Sequence, residues 1–166
     1  MKPLLVALAG NPNAGKTSLF NAITGSKQHV GNWPGKTIAK KEGNIQYKGY
    51  EVNIVDLPGT YSLSAFSPEE VIARDFIVQE KPDVVVTVLD AANLERNLYL
   101  AVQVLEMDVP VVVALNMADI ADSKHIHINR TALSQALNIP VVRTVARKEE
   151  GTGELLDAII KSAQLN

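Results

Sequence analysis

The sequence predicts an α/β fold: a mostly parallel six-stranded sheet with one antiparallel edge strand and with helices on both faces. Short β-branched runs alternate with helical patterns along the chain, which is typical of a parallel sheet covered by helices. The runs at 84–89 and 110–115 are almost continuously apolar, as expected for strands buried on both faces. The pair Lys48-Gly49 predicts a tight turn, and therefore one antiparallel hairpin.

The first part of the chain predicts a strand, a helix and a long loop. Residues 4–9 form the strand, and residues 15–24 form a helix whose apolar face carries Leu19 and Ile23. Residues 26–39 are rich in Gly, Asn and Pro and predict a loop. Loops of that length are uncommon unless they have a function.

The hairpin is followed by a second loop and a helix start. Strands at 44–47 and 50–55 flank the turn, and residues 57–67 are irregular. The sequence Ser-Pro-Glu-Glu at 67–70 predicts a helix start, because it combines a capping serine, a first-turn proline and early acids. Three more strands are predicted at 84–89, 110–115 and 140–145. Each is followed by a predicted helix, at 94–106, 131–137 and 152–163.

The composition excludes several classes of function. A chain of 166 residues fits one domain, residues 1–166. The net charge of −2 argues against nucleic-acid binding, which needs a clustered basic face. Without cysteine there can be no disulfide, thiolate metal site or iron–sulfur cluster. No apolar run approaches the ~20 residues of a membrane helix, so we expect the chain as given to be soluble.

Residues 10–17, Gly-Asn-Pro-Asn-Ala-Gly-Lys-Thr, match the phosphate-loop pattern. The glycines let the backbone wrap a phosphate, and successive N–H groups and the dipole of the next helix bind its oxygens. Lys16 would bridge the β- and γ-phosphates, and the Thr17 hydroxyl would bind magnesium. The alternative is a chance match in a turn, but the segment lies between a predicted strand and a predicted helix, as the motif requires.

A second acid lies at the end of the strand at 50–55. Asp56 begins the sequence Asp-Leu-Pro-Gly, and an acid at a strand's carboxyl end faces the ligand crevice of an open α/β sheet. Asp56 would reach the magnesium through a water, and the Gly59 N–H would meet the γ-phosphate. An ordinary strand-ending turn is the alternative for this sequence.

The strand at 110–115 ends in Asn-Met-Ala-Asp, which predicts a guanine site. The Asp119 carboxylate would accept two hydrogen bonds from the ring N–H and the exocyclic amine of guanine, a donor pair that adenine lacks. Asn116 would tie this loop to the phosphate loop and touch the base. A helix cap at Asp119 is the alternative. An ATP-using phosphate-loop kinase should lack this motif.

In this order and at these strand ends, the motifs resemble a Ras-type small GTPase domain along nearly the whole chain. Finer features resemble the G domain of the FeoB family of ferrous-iron transporters, over about residues 4–163. The segments that carry the resemblance are GNPNAGKTSLFNAITG, VGNWPGKTIAKKEG, DLPGTYSLSAFSPEE, DAANLERNLYL and NMAD. Residues 31–35 and 93–98 are the most specific, and Met117 is also typical of that family.

The resemblance implies two switch segments and two metal sites. Switch I would cover residues 26–39, with Thr37 closing on magnesium and the γ-phosphate, and switch II would cover residues 57–67. The implied magnesium ligands are Thr17, Thr37 and Asp56. The implied potassium ligands are Asn13 and the backbone carbonyls near Gly31 and Trp33.

The resemblance also implies the residues that contact the nucleotide. They are Gly10, Asn11, Pro12, Asn13, Ala14, Gly15, Lys16, Thr17, Ser18, Gly35, Lys36, Thr37, Asp56, Leu57, Pro58, Gly59, Asn116, Met117, Asp119, Val145, Ala146 and Arg147. Those that would act in hydrolysis are Asn13, Lys16, Thr37 and Gly59. The Ala146 N–H would meet guanine O6, although Val145 departs from the usual Ser-Ala-x pattern.

The function implied by the resemblance is GTP binding and slow, magnesium-dependent hydrolysis that regulates or drives ferrous iron uptake across a membrane. Thr60 stands where many GTPases carry a water-orienting glutamine, and potassium held by Asn13 could replace an arginine finger, so we expect potassium to stimulate hydrolysis. The alternatives are a nucleotide switch with negligible turnover and a related GTPase of RNA modification or ribosome assembly.

The implied partners are guanine nucleotide and the membrane-embedded iron-transport domain of a longer protein, which would follow a helical spacer. The full-length protein would lie at the cytoplasmic face of the inner membrane. No nucleic acid is expected, and a homo-oligomer is left open. The role of Trp33 also stays open, because a tryptophan in a Gly/Pro loop could cover the nucleotide or anchor the loop.

Overall fold

The computed structural model describes residues 1–165 and contains one mixed sheet of seven strands. The strands are β1 Lys2–Gly10, β2 Gln28–Asn32, β3 Ala39–Tyr47, β4 Tyr50–Asp56, β5 Val84–Asp90, β6 Val111–Asn116 and β7 Val141–Arg143. The helices are α1 Lys16–Thr24, α2 Pro68–Glu80, α3 Leu94–Leu105, α4 Ala118–Ser123, α5 Arg130–Leu137 and α6 Thr152–Gln164.

The strand order is β2-β3-β4-β1-β5-β6-β7. The five neighbouring strands β4, β1, β5, β6 and β7 are parallel to one another. The strand β3 pairs antiparallel with β4. The predicted mostly parallel sheet with an antiparallel edge is therefore confirmed, but the predicted number of six strands is one too few.

The additional strand, β2, lies inside the segment that the sequence predicts as a loop. It pairs antiparallel with β3 from Gln28 opposite Gly43 to Asn32 opposite Ala39. Four of its five residues are exposed, so no alternation of apolar and polar residues marks it in the sequence. Its pairing also starts β3 at Ala39, five residues before the predicted start at residue 44.

Helices cover both faces of the sheet, and successive side chains of β1 therefore pack into two different cores. Val6 and Leu8 belong to one core with residues of α1 and α6, whereas Ala7 and Ala9 belong to a second core with residues of α2 and α3. The predicted start of α2 is confirmed at Ser67, whose Oγ accepts a hydrogen bond from the Glu70 N–H at 3.2 Å.

The parallel strands bring distant chain segments to one edge of the sheet. Leu8 lies opposite Asp56, and Asp90 lies opposite Asn116, so the carboxyl ends of β1, β4, β5 and β6 share this edge. Ligands of open α/β sheets bind at such an edge. Among residues 1–165, no helix is both long and apolar enough to cross a bilayer.

Candidate functional site

The loop between β1 and α1 has the backbone geometry of an anion-binding turn. Asn13 and Gly15 adopt left-handed conformations, with φ of 69° and 85°. A Cβ at position 15 would overlap the Asn116 side-chain nitrogen, so glycine is required there for steric as well as conformational reasons. The loop leads directly into α1, whose N-terminal N–H groups are suited to phosphate oxygens.

Lys16 connects this loop to the end of β4. Its side chain is buried, and its ammonium contacts the Asp56 carboxylate and donates to the Leu57 carbonyl at 2.6 Å. The predicted phosphate ligand and the predicted magnesium ligand are therefore in direct contact, although 40 residues separate them in sequence.

The oxygen groups near this pair fit magnesium. Asp56 supplies a carboxylate at the strand end, and Thr17 supplies an exposed hydroxyl in the first turn of α1. Magnesium prefers a few protein oxygens together with phosphate oxygens and water. Within residues 1–165 there is no group of three or more His, Cys, Asp or Glu residues that could hold a metal alone. The donor set therefore suits a magnesium ion shared with a phosphate.

The Asp-Leu-Pro-Gly segment packs directly on the phosphate loop. The Leu57 N–H donates to the Leu8 carbonyl at 3.0 Å, and the Thr60 N–H donates to the Gly10 carbonyl at 3.1 Å. A Cβ at Gly59 would lie 3.3 Å from Pro12, so the two loops touch at this glycine. These contacts fix the second loop relative to the first.

Asn116 joins three segments at the site. Its Nδ2 donates to the Ala14 carbonyl at 3.1 Å, which confirms the predicted tie to the phosphate loop. Its Oδ1 accepts from the Thr144 hydroxyl at 3.0 Å and from the Ala146 N–H at 3.1 Å. The N–H that was expected to meet guanine O6 is thus bonded to Asn116 in this structure.

Asp119 is held by two cations of the loop after β7. Its Oδ2 accepts from Arg147 Nη2 at 2.5 Å and lies 4.0 Å from Lys148 Nζ. Burial would raise the pKa of Asp119, but the hydrogen bond and charge of Arg147 outweigh it, so the pKa lies below its ordinary value. The helix-cap alternative is wrong, because α4 begins at Ala118 with Met117 as its N-cap residue.

A cleft of about 380 Å³ lies between the first turns of α1 and the loop after β7, whose Arg147 is bonded to Asp119. It is lined by Ser18, Asn21, Ala22, Ala146, Arg147, Lys148 and Glu149. Three of the predicted nucleotide contacts, Ser18, Ala146 and Arg147, are therefore in one depression. Val145 is buried behind it, and its N–H donates to the Glu150 carbonyl.

Trp33 anchors the segment predicted as switch I in this structure. Only 6% of it is exposed, and its ring packs edge-on against Phe76 of α2, with ring centroids 5.8 Å apart. Lys40 Nζ lies 4.8 Å from the centre of the indole ring. The backbone is fixed as well, because the Trp33 N–H donates to the Ile38 carbonyl at 2.9 Å.

The other predicted switch I ligands lie around this anchor. Gly31 belongs to β2, and Gly35, Lys36 and Thr37 are exposed in the turn between β2 and β3. The Trp33 carbonyl, a predicted potassium ligand, accepts from the Lys36 N–H at 2.9 Å. Within residues 1–165, no hydrogen bond joins the exposed Asn13 to Gly31 or Trp33.

The segment predicted as switch II is bonded to Glu70 and Gln103, for which the sequence predicted no such role. Glu70 accepts from the Ser62 hydroxyl at 2.6 Å and from the Ser64 N–H at 3.1 Å. Its pKa lies below the ordinary value, chiefly because of the Ser62 hydrogen bond. Gln103 of α3 accepts from the Leu63 N–H at 2.7 Å. The capping pattern predicted Glu70 only as a helix-start residue, and no pattern indicated Gln103.

The motif at 93–98 connects α3 to the site. Asn97 accepts from the Asp90 N–H at 3.2 Å and donates to the Asn93 carbonyl at 2.9 Å. The Arg96 carbonyl accepts from Asn11 Nδ2 at 3.3 Å. This motif therefore positions the start of α3 against β5 and the phosphate loop.

Comparison with known proteins identifies the family. Residues 4–159 match the model of the ferrous iron transport protein B family. The FeoB transporter of Escherichia coli K12 is 48% identical over 163 residues, which are 96% of this chain and 21% of that protein. An iron transport protein A/FeoB fusion protein of Porphyromonas gingivalis is 51% identical over 93% of this chain and 18% of its own length. The chain thus spans about a fifth of these relatives.

Solved structures of FeoB G domains have the same fold. The G domain of the T. maritima transporter superposes with a TM-score of 0.92 at 49% identity, covering 98% of this chain and 99% of that one. The G domain from Methanococcus jannaschii gives a TM-score of 0.88 at 45% identity over 99% of both chains. The chain therefore belongs to the ferrous iron transport protein B family and has the Ras-like GTPase fold of the FeoB G domain.

Proposed function

We propose that this chain binds GTP and hydrolyses it slowly, with magnesium and with stimulation by potassium, to regulate or drive ferrous iron uptake by a longer membrane protein. The observation that carries the proposal is the bonding of Asn116, which holds the phosphate loop against the loop that follows β7. In this proposal, the phosphate loop binds the phosphates and the nearby Asp119 selects guanine, and Asn116 keeps the two loops at one sheet edge. The T. maritima relative has been solved in GDP and GMPPNP forms, which supports this assignment.

The phosphate end of the site would act through Lys16 and the loop amides. These groups would hold the β- and γ-phosphates, and the Gly59 N–H would orient the γ-phosphate. Thr17, Thr37 and Asp56 would hold magnesium, which supplies charge neutralisation when bound. Since Lys16 now contacts Asp56, we expect nucleotide binding to separate this pair and to direct the ammonium to phosphate.

The base end of the site would select guanine through Asp119. Its carboxylate has two oxygens, of which Oδ2 is bonded to Arg147. Guanine offers two adjacent donors to such a carboxylate, and adenine does not. The base would lie in the cleft lined by Ser18 and Ala146, which Arg147, the partner of Asp119, also lines.

A nucleotide switch with negligible turnover is a second candidate, and Thr60 favours it. This residue follows Gly59, where many GTPases use glutamine, and it is only 5% exposed. A single-turnover experiment separates the two functions, because an enzyme releases phosphate from bound GTP and a pure switch retains it. The family membership argues against a GTPase of RNA modification or ribosome assembly.

The proposed transport role rests on the relatives. Proteins named as Fe(2+) transporters contain this domain as about a fifth of their length. We propose that a membrane-embedded part of the same full-length protein is the partner, and that the domain lies on the cytoplasmic side of that membrane.

Competition between nucleotides tests the proposal directly. Labelled GTP with magnesium should bind the wild-type chain, and unlabelled GTP should displace it at a concentration at least about 100-fold lower than ATP does. Lys16→Ala should abolish binding, whereas Lys124→Ala, at the exposed end of α4, should not change it. Equal displacement by ATP and GTP would overturn the assignment of a guanine site.

A further inference from the structure

A large cavity in the described part of the chain lies away from the phosphate loop. Its volume is about 820 Å³, within the range of roughly 300–1,000 Å³ that is usual for small-molecule sites. It lies between α2 and the edge strands β2 and β3, and its floor includes Leu5 of β1 and Val55 of β4. None of the phosphate-loop residues lines it.

A little over half of the inner surface of this cavity is apolar. Trp33, Val55 and Phe76 are buried, and Leu5 and Ile72 are partly buried against the same core. The wall on the α2 side is one helix face, because positions 72, 75, 76 and 79 recur at helical spacing. This surface suits a flat apolar molecule.

One buried donor at the cavity has no partner. Trp33 lines the cavity, and its Nε1–H is buried without any hydrogen bond. A buried N–H without an acceptor costs free energy, of the order of 1–3 kcal/mol. A bound molecule that carries an acceptor would satisfy it once the atoms that now cover this N–H move aside.

The charges around the cavity favour an anionic acceptor. Lys27 and Lys36 line the side formed by the β2 segment, and within residues 1–165 neither has a carboxylate partner. Glu42, which also lines the cavity, is already paired with Lys40 at 2.9 Å. The acids of the α2 wall are Asp75, which lies 3.7 Å from Arg74, and Glu80 at the end of the helix. The uncompensated charge on the β2 side is therefore positive.

We infer that this cavity is a second ligand site, which binds a small molecule with a flat apolar body and an anionic group that accepts a hydrogen bond from Trp33 Nε1. The apolar body lies between Phe76, Ile72 and the sheet floor. The anionic group lies toward Lys27 and Lys36. The cavity shares Lys36 and Trp33 with the segment predicted to contact nucleotide and potassium, but its test needs no nucleotide and changes neither residue, so either site can fail without the other.

Anilinonaphthalene sulfonate has this chemistry and is the probe for a test. Trp33 is the only tryptophan, so energy transfer from Trp33 to the bound probe reports that the probe lies within transfer range of this residue, and the matched variants locate the site. The chain also has a single indole N–H resonance, which should move on titration because the donor gains an acceptor. We expect saturable binding of one probe molecule, with both signals changing together.

Matched variants decide where the probe binds. Ile72→Glu places a carboxylate on the cavity wall and should weaken binding by at least about tenfold through like-charge repulsion. Val78→Glu places the same charge on an exposed position of the same helix and should leave binding unchanged. Lys27→Glu should weaken binding with little risk to folding, because Lys27 is exposed, whereas Lys124→Glu should have no effect. Equal binding by Ile72→Glu, Lys27→Glu and wild type, or an indole resonance that does not move, would overturn the inference.

Discussion

At the scale of single residues, the proposed base site depends mainly on Asn116 and Asp119, and both were predicted from the sequence. An asparagine followed by an aspartate three residues later, at the end of an apolar strand, predicts a site that binds a base. The bonding of Asn116 to Ala14 agrees with that expectation. The ion pair between Asp119 and Arg147 was not predictable, because it depends on how two loops 28 residues apart approach each other.

Replacing Asp119 with asparagine should change base preference. The carboxamide keeps one acceptor and gains a donor, so it matches xanthine better than guanine. We expect GTP affinity to fall by about 10- to 100-fold and xanthosine triphosphate affinity to rise. Competition binding with the two nucleotides measures this, and an unchanged affinity for GTP would show that the base is recognised elsewhere.

Replacing Arg147 with alanine should change the pH dependence of stability. Because the pKa of Asp119 is lowered in the folded state, its ion pair stabilises the fold above the ordinary aspartate pKa of about 3.9. This contribution is lost as the pH falls through the lowered pKa. Urea unfolding should therefore show the variant to be less stable at neutral pH and equal to wild type in strong acid. A difference in stability that is independent of pH would contradict this assignment.

Trp33 was left with two possible roles by the sequence, and the structure shows a buried anchor. Trp33→Ala should lower the free energy of unfolding by about 3 kcal/mol, since a large buried ring is removed. Phe66→Ala is the control, because Phe66 is 91% exposed and its loss should change stability by no more than about 0.5 kcal/mol. Equal stabilities for the two variants in chemical unfolding would favour a mobile cover.

At the scale of elements, buried strands were predictable and exposed ones were not. The runs at 84–89 and 110–115 correspond to β5 and β6. They were predictable because a continuous run of β-branched residues is typical of a strand that is buried on both faces. The sequence of β2, Gln-His-Val-Gly-Asn, has no such pattern, and it becomes a strand only by pairing with the edge strand β3. The short helix α4 was also missed, since six residues are too few to show helical periodicity.

The phosphate loop as an element depends on Gly15. Gly15→Ala should strain a left-handed backbone and displace Asn116, whereas Gly49→Ala, with φ of 83°, has the same strain but open space around its Cβ. We expect Gly49→Ala to cost about 1 kcal/mol of stability and to leave nucleotide binding unchanged. Gly15→Ala should cost more and abolish nucleotide binding, as measured by urea unfolding and GTP titration. Equal effects on both properties would mean that the predicted displacement of Asn116 has no consequence for binding.

At the scale of the whole molecule, one sheet edge gathers the residues of the proposed GTP site from four strand ends. This convergence was predictable because the carboxyl ends of parallel strands always meet at one edge. The cavity under Trp33 was not predictable, because its walls come from β1, the β2 segment, β3, β4 and α2, and its shape depends on how far α2 stands from the sheet. Sequence patterns report local periodicity and cannot report such distances.

The central claim is that this domain hydrolyses GTP with help from potassium held at Asn13, and phosphate release in potassium and in sodium buffer tests it most directly. We predict release at least about tenfold faster in potassium for the wild-type chain. The acceleration should be absent in Asn13→Ala and kept in Asn138→Ala, a control with a similar left-handed backbone at the end of α5. Equal rates in the two buffers for the wild-type chain would contradict the account.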